Sequence, residues 1–277
     1  MLLPKTETLT AHEVGDLVYY SFPAMDEIDG VRHGFSTRLG GVSQGTFASM
    51  NLSFTRGDEP QAVRENFDRF CAAIGVKTED VVISAQTHTA NVKIVTANDR
   101  GRGVTREKEY TDVDGLITAE PNVVLCTQYA DCVPLFFVDP VRKVVATSHA
   151  GWRGTAAGIA AVTVRKMGEE YGCRPEDILA GIGPSIGHCC FEVDAPVYDA
   201  FCQVEVFDDS CYTEDGNGKY HIDLWQVNRR WLLTAGVLAE HITVTDLCTR
   251  CHPDVFWSHR KTGDARGSLA GFIALTD

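Results

Sequence analysis

The sequence predicts a fold that mixes β-strands with α-helices, because short apolar runs alternate with longer amphipathic segments along its 277 residues. Apolar residues at helical spacing predict a helix over residues 58–74, with Asp58 as its N-cap and Gly75 at its end. Helices are also predicted over residues 155–171 and 223–236. Apolar runs bounded by turn residues predict strands at residues 17–22, 31–36, 81–85, 122–127, 134–138, 143–148, 178–182 and 241–244.

Two polar stretches complete this outline. Residues 98–111 are rich in Arg, Lys, Glu and Gly, which predicts an exposed surface loop, with a lid over a site as the alternative. Residues 256–264 predict a strand that leads into a basic turn. No internal repeat or low-complexity linker divides the chain, so a single domain over residues 1–277 is expected.

Composition narrows the classes of protein. A formal net charge of −13 argues against nucleic-acid binding, and an anionic substrate would need a local group of arginines. No apolar run approaches membrane-spanning length, and residues 1–5 lead into no apolar segment of the signal-peptide kind. Ten cysteines without such a signal indicate reduced thiols. We therefore expect a cytoplasmic protein that binds neither nucleic acid nor membrane.

The segment around Cys132 and His149 carries the strongest functional signal. Cys132 lies on a turn between two apolar runs, and His149 ends the strand that follows, so neighbouring strand ends present a thiol and an imidazole. Alone, the two residues fit a catalytic pair, two metal ligands, or two ordinary buried side chains. The turn at Ala130 and Asp131, and the run Gly-Trp-Arg-Gly after His149, favour a functional site. The helix that begins there suits an anion.

Further candidates stand in similar places. His88 follows a predicted strand, as Cys132 and His149 do. Arg38 precedes paired glycines and is placed to reach an anion, although a flexible surface loop explains the glycines equally well. The adjacent Cys189 and Cys190 are predicted to pack, because neighbouring side chains on an extended chain point apart.

Cys248, Cys251 and His252 have part of a zinc-site spacing. A structural zinc site needs four ligands, and no second pair stands nearby in the sequence, so we expect a loop with free thiols.

A set of motifs, in this order, resembles the YfiH family, also called laccase-domain or polyphenol oxidase-like proteins and peptidoglycan editing factors. The likeness runs from about residue 33 to the end of the chain. One departure is His259, where the family usually has Tyr before the Arg. The motifs are His33-Gly34-Phe35-Ser36-Thr37-Arg38 with Gly40-Gly41, Asn51-Leu52, Gln86-Thr87-His88, Asp114-Gly115, Ala130-Asp131-Cys132-Val133-Pro134, His149-Ala150-Gly151-Trp152-Arg153-Gly154, Gly183-Pro184-Ser185-Ile186-Gly187 and Cys190-Phe191-Glu192-Val193.

The resemblance implies a single-domain α+β fold, a layered α/β/β/α sandwich. It also implies a zinc ion, with copper as the alternative, bound by His88, Cys132 and His149. The implied reaction is phosphorolysis of adenosine, inosine and methylthioadenosine, together with deamination of adenosine. The expected partners are therefore a nucleoside and phosphate, and the protein is expected to be a monomer or a weak homo-oligomer.

Roles for other side chains follow from the same motifs. Arg38, Arg153 and Arg260 are expected to offset the charge of phosphate, and Arg38 and Arg153 are also placed among the catalytic residues. The remaining expected substrate-binding residues are Asn51 and Gln86. Asp131 is the candidate proton carrier, and a carboxylate that only caps the turn is an equally good interpretation.

Three other classes compete with this one. A copper oxidase could use two His and one Cys, but a laccase also needs a multi-His cluster, and the nine histidines are scattered. A Cys–His hydrolase, including one that edits a peptidoglycan precursor, would use Cys132 as nucleophile and His149 as base, which leaves His88 unexplained. In a non-enzymatic binding protein, zinc would only order the loops.

Overall fold

Two six-stranded β-sheets form the centre of the protein in the computed structural model, which describes residues 3–277. Seven helices occur in this range: α1 (Pro23–Asp26), α2 (Pro60–Ile74), α3 (Trp152–Ala156), α4 (Ile159–Tyr171), α5 (Ala195–Phe201), α6 (Leu224–Thr234) and α7 (His259–Thr262). The same range contains fifteen strands: β1 (Thr10–Val14), β2 (Leu17–Ser21), β3 (Val31–Ser36), β4 (Val81–Ile83), β5 (Val92–Ile94), β6 (Gly115–Thr118), β7 (Val124–Tyr129), β8 (Val133–Asp139), β9 (Val144–Ala150), β10 (Leu179–Ile182), β11 (Glu192–Asp194), β12 (Tyr212–Glu214), β13 (Lys219–Ile222), β14 (Ile242–Val244) and β15 (Leu269–Leu275).

The strands are arranged in two large sheets and one small sheet. Sheet 1 has the order β1-β2-β3-β15-β7-β4, and sheet 2 has the order β14-β10-β8-β9-β6-β5. The small sheet has the order β11-β13-β12. Most pairs are antiparallel, whereas β4–β7, β5–β6 and β10–β14 are parallel.

The helices and the two large sheets are stacked in four layers, with apolar side chains packed between the layers. Tyr20 and Phe35 of sheet 1 meet Phe136 of sheet 2 in the core between the sheets. Helix α2 covers the outer face of sheet 1, where the rings of Phe70 and Phe272 stack with their centroids 4.7 Å apart. Helices α4 and α6 cover the outer face of sheet 2. The predicted α+β sandwich with α/β/β/α layers is confirmed.

Strand β15 is the main element that the sequence analysis missed. It lies between β3 and β7 in sheet 1, and every one of its residues is buried. A strand covered on both faces has a continuous apolar sequence instead of an alternating one, so its period carries little information. The C-terminal segment is thus part of the framework of sheet 1.

Three local predictions need correction. Residues 256–264 contain helix α7 instead of a strand, and the Ser258 hydroxyl accepts a hydrogen bond from the Lys261 N–H at its start. The N-cap of α2 is Glu59, and Asp58 instead accepts from the Asn51 amide. The helix predicted over residues 155–171 is interrupted by Gly158, which has a φ of 71°.

The segment 98–111 is exposed over residues 105–109, as predicted, but it is anchored to the protein on both sides of them. The Arg102 side chain is buried, and the Tyr110 hydroxyl donates to the Ile83 carbonyl over 2.6 Å. Within residues 3–277, the helices are all too short or too polar to cross a membrane.

Phe136 provides a test of the core between the sheets. Its ring fills the space above Gly271, where a Cβ atom would lie 2.7 Å from the ring Cζ. We expect Phe136→Ala to lower the free energy of unfolding by about 3–5 kcal/mol, because it leaves a cavity between the sheets. Val141→Ala is the control, since that side chain is 66% exposed and its loss should cost less than about 0.5 kcal/mol. Urea unfolding followed by circular dichroism measures both, and equal midpoints would contradict the layer arrangement.

Candidate metal centre and substrate cleft

The structure brings His88, Cys132 and His149 together at one edge of the sandwich. Strands β8 and β9 pair so that Pro134 is opposite His149, which places Cys132, just before β8, beside that imidazole. One ligand atom from each of the three residues lies within 4.8 Å of the other two. Cys132 Sγ and His88 Nε2 are 3.9 Å apart. Sulfur and nitrogen ligands of one tetrahedral zinc would be about 3.5 Å apart.

The buried carboxylate of Asp114 holds the imidazole of His149 and the backbone of the loop that carries His88. It accepts hydrogen bonds from the backbone N–H groups of Thr87, His88 and Thr89, at 2.9, 3.1 and 3.0 Å. His149 Nδ1 lies 2.8 Å from the same carboxylate. The proton on Nδ1 therefore faces Asp114, and Nε2 of His149 is the ring nitrogen that would bind a metal after losing its own proton. Asp114 lies in the Asp114-Gly115 motif, and the local sequence indicates no role for its side chain.

The ionised forms of Cys132, His149 and Asp114 stabilise one another. Burial raises the pKa of the Cys132 thiol, but His149 and His88 outweigh burial and lower this pKa to about 6. Burial lowers the pKa of His149, but Cys132 and Asp114 outweigh it and raise this pKa to about 9. Hydrogen bonds from His149, Thr87 and Thr89 likewise overcome the effect of burial on Asp114 and lower its pKa to about 2. Cys132 is thus a thiolate at neutral pH, the form that binds a metal or acts as a nucleophile.

The space around the three side chains fits a bound ion. A Cβ atom at position 151 would lie 2.6 Å from His88 Cδ2 and 3.3 Å from Cys132 Sγ, so Gly151 keeps this space open. Two imidazoles and one thiolate fit a tetrahedral zinc with one free position. Within residues 3–277, the other group of at least three close ligands consists of four cysteines, so no multi-histidine copper cluster is built there.

A cleft of about 680 Å³ opens over the three ligands. Its volume lies in the range of small-molecule sites. Two features of its lining are relevant: the predicted residue Gln86, and three cationic side chains that were not predicted. The cations are Arg56, Lys108 and Arg266.

Arg266 is the most unusual of these cations. Its side chain is buried, and within the described residues it has no carboxylate partner within 4.0 Å. Its buried Nε has no hydrogen-bond partner in the described part of the chain, and Nη1 donates to the Gly267 carbonyl. Burial and the neighbouring Arg56 lower the pKa of the guanidinium to about 10, so Arg266 stays charged at neutral pH. Such a cation beside a cleft favours an anionic ligand.

Arg38, Asn51 and Arg153 do not line this cleft. The Arg38 guanidinium stacks on Trp257 and donates to the carbonyls of Pro253 and Ala48. Asn51 is fully buried, and its side-chain Oδ1 accepts hydrogen bonds from the backbone N–H groups of Ser53 and Ser268. Arg153 is exposed and lies over the ring of Trp152.

Asp131 and Arg260 are hydrogen-bonded to each other and do not line the cleft. One carboxylate oxygen of Asp131 accepts a hydrogen bond from the Thr249 hydroxyl, and the other accepts one from the backbone N–H of Arg260, both over 2.6 Å. The Arg260 guanidinium donates to the carbonyls of Cys190 and Glu192. Of the expected substrate-binding residues, Gln86 alone lines the cleft, where its amide bonds the backbone of Gln128. The roles predicted for all these side chains remain predictions.

The four-layer sandwich, with a Cys/His/His group at its edge, agrees with the laccase-domain class expected from the motifs. The chain belongs to the family described as multi-copper polyphenol oxidoreductase laccase, whose sequence profile matches residues 32–276. The resemblance stated above is thereby confirmed.

Individual relatives are similar over most of the chain. It is 38% identical over 248 residues to purine nucleoside phosphorylase YlmD of Bacillus subtilis, which covers 88% of each protein. It is 35% identical over 239 residues to adenosine deaminase RL5 of an unknown prokaryote, covering 85% of this chain and 90% of that protein. The crystal structure of the hypothetical protein YfiH of Bacillus licheniformis superposes with a TM-score of 0.91 at 35% identity, covering 98% of this chain and all of that one.

Asp114→Asn tests how the imidazoles are held. An amide cannot accept all the hydrogen bonds that the carboxylate accepts, so we expect the affinity for Zn²⁺ to fall about 10- to 100-fold. Titration against a chromogenic chelator measures this affinity. The control is Asp112→Asn, which changes a carboxylate that bonds Thr89 and Asn91 of the same loop but no imidazole. An unchanged affinity in Asp114→Asn would show that Asp114 does not support the metal site.

Proposed function

We propose that the protein is a zinc-dependent purine nucleoside phosphorylase that cleaves adenosine, inosine and methylthioadenosine, with adenosine deamination as a second activity. The observation that carries the proposal is Arg266, which lines the same cleft as the three candidate metal ligands. It is a buried cation without an ion-pair partner among residues 3–277. The names of two relatives, purine nucleoside phosphorylase and adenosine deaminase, support purine nucleosides as the substrate class.

Phosphorolysis requires the cleft to accept an anion beside a neutral nucleoside. The bond between C1′ of the ribose and the base nitrogen breaks, a phosphate oxygen bonds to C1′, and the proton of HPO₄²⁻ ends on the free base. Arg266 would bind the phosphate, and Lys108 at the cleft wall would add positive charge. Arg56 also lines the cleft, but its charge is partly offset by Asp264, 3.5 Å away. These cations would offset the repulsion of a chain with a net charge of −13.

The metal ligands face the same space. A zinc ion held by His88, Cys132 and His149 would supply a Lewis acid at one end of the cleft. Asp114 would keep the proton of His149 on Nδ1 and so keep Nε2 available. Gln86, with both ends of its amide bonded, would give the cleft wall a fixed shape.

We assign Arg38, Asn51, Asp131 and Arg260 to positioning roles, because their polar atoms are engaged by the backbone and by each other. Asp131 in particular has both oxygens hydrogen-bonded, which favours the turn-capping interpretation over a proton carrier. The alternative, in which Arg38 and Arg153 bind phosphate, is separated from this one by the variants described below.

A thiol hydrolase is the second candidate, because the lowered pKa of Cys132 beside His149 also suits a nucleophile and its base. The two mechanisms differ in their need for His88. We expect His88→Ala to lose zinc and nucleoside cleavage together, as measured by metal analysis and product chromatography. Full activity in this variant, or activity that survives removal of zinc by a chelator, would favour the hydrolase.

Product analysis tests the proposed reaction itself. Zinc-loaded protein is incubated with inosine, with and without inorganic phosphate. We expect hypoxanthine and ribose 1-phosphate in equal amounts, and only when phosphate is present. Free ribose in place of ribose 1-phosphate would show hydrolysis, and an unchanged nucleoside in both reactions would remove the phosphorylase assignment.

Arg266→Ala tests the phosphate site. Loss of a charge-assisted contact worth about 1.5–3 kcal/mol should raise the KM for phosphate about 10- to 100-fold. Deamination of adenosine, which needs no phosphate, should change much less. The control is Arg165→Ala, an exposed arginine on α4. A normal KM for phosphate in Arg266→Ala, together with a raised KM in Arg38→Ala or Arg153→Ala, would show that phosphate binds at the arginines expected from the sequence.

A further inference from the structure

The geometry points to a second zinc site, formed by the four cysteines Cys189, Cys190, Cys248 and Cys251. The sulfur atom of each cysteine lies within 4.8 Å of the other three sulfur atoms. These residues lie outside the substrate cleft, so the inference goes beyond the proposed function and stands independently of it. It also corrects the sequence analysis, which treated the two cysteine pairs as unrelated.

The distances between the sulfur atoms fit a metal site better than a disulfide. Cys189 Sγ lies 3.6 Å from Cys190 Sγ and 3.7 Å from Cys251 Sγ, and the last two are 3.5 Å apart. Four sulfurs at about 2.3 Å from one tetrahedral zinc would be about 3.8 Å from each other. A disulfide would require about 2.05 Å, and all four cysteines are free.

The fold explains how two distant pairs meet. Strands β10 and β14 run in parallel, and the segments that follow them remain adjacent, because Thr249 N–H donates to the Ser185 carbonyl over 2.9 Å. The vicinal pair lies on a tight turn instead of an extended chain, since the Cys190 N–H donates to the Gly187 carbonyl. The two adjacent sulfurs can therefore face the same point, contrary to the prediction for an extended chain.

Two of the four sulfurs have hydrogen-bond donors that would stabilise a metal-bound thiolate. Four thiolates and one Zn²⁺ carry a net charge of −2, which needs nearby donors. Arg250 Nη1 lies 3.4 Å from Cys190 Sγ, and the Gly187 N–H donates to Cys248 Sγ over 3.3 Å. Such donors stabilise metal-bound thiolates. Because four sulfur ligands fill a tetrahedral zinc, the ion would be structural, unlike one at the Cys/His/His centre.

The position of this second site suggests what the ion would stabilise. Thr249, between two of the cysteines, donates to the Asp131 carboxylate, and the Cys190 carbonyl accepts from the Arg260 guanidinium. Asp131 is adjacent to Cys132. A zinc on the four cysteines would thus fix the loops that hold Asp131 and Arg260, and through them the turn that presents Cys132.

Metal stoichiometry tests the proposal. After zinc loading under reducing conditions and desalting, we expect two zinc ions per wild-type chain by plasma mass spectrometry. Cys132→Ala should retain one, and the double variant Cys132→Ala/Cys251→Ser should retain none. Cys132→Ala/Cys202→Ser is the control and should retain one, because Cys202 is exposed and lies outside both groups. Loss of all zinc in Cys132→Ala, or retention in the Cys251→Ser double variant, would overturn the proposal.

A measurement on the wild-type protein tests the proposal even if the variants fail to fold. Zinc-loaded protein is given a short pulse of iodoacetamide, and each cysteine is quantified by peptide mass spectrometry. Cys189 and Cys251 are exposed, as Cys202 is, so they should be protected by zinc and become reactive after a chelator. Cys202 should react equally under both conditions. Alkylation of Cys189 and Cys251 as fast as Cys202 in zinc-loaded protein would contradict a metal on these sulfurs.

Discussion

The buried carboxylate of Asp114 is the interaction on which the candidate metal centre depends. It accepts three backbone N–H groups from the loop that carries His88 and lies 2.8 Å from Nδ1 of His149. Its own backbone carbonyl accepts from the His149 N–H over 2.7 Å. One side chain therefore sets the loop conformation, the tautomer of His149 and the spacing of two ligands. A buried carboxylate is costly without such partners, which explains why the surrounding donors all converge on it.

The chain has two groups of thiol ligands with different chemistry. Cys132 shares its site with two imidazoles beside an open cleft, an arrangement suited to a reactive metal or a nucleophile. The four-cysteine group is linked to the turn that carries Asp131 by the hydrogen bond from Thr249, and it is suited to holding loops in place. The cations of the cleft, above all Arg266, supply a local positive charge in an acidic protein. The strand framework, with β8 and β9 as a buried hairpin, keeps these parts in one small region.

The predictable parts of the site are those determined by local sequence. Cys132 and His149 lie at the ends of strands joined by a short turn, so their proximity follows from antiparallel pairing of neighbours. Arg266 was missed because it lies between an exposed turn and β15, whose pairing with β7 is not visible in a uniformly apolar run. The four-cysteine group was missed because it depends on the register of the parallel strands β10 and β14, which no local pattern encodes. Arg38 has the expected glycine-rich loop, but its guanidinium binds backbone carbonyls outside the cleft.

The binding of one metal ion by His88, Cys132 and His149 can be tested with crystals of zinc-loaded protein. Diffraction data are collected on both sides of the zinc absorption edge. We expect an anomalous peak about 2.0–2.1 Å from Nε2 of each histidine and about 2.3 Å from Cys132 Sγ. If fully loaded crystals show no peak between these three atoms, the three residues do not form a zinc site, whatever other zinc the crystals contain.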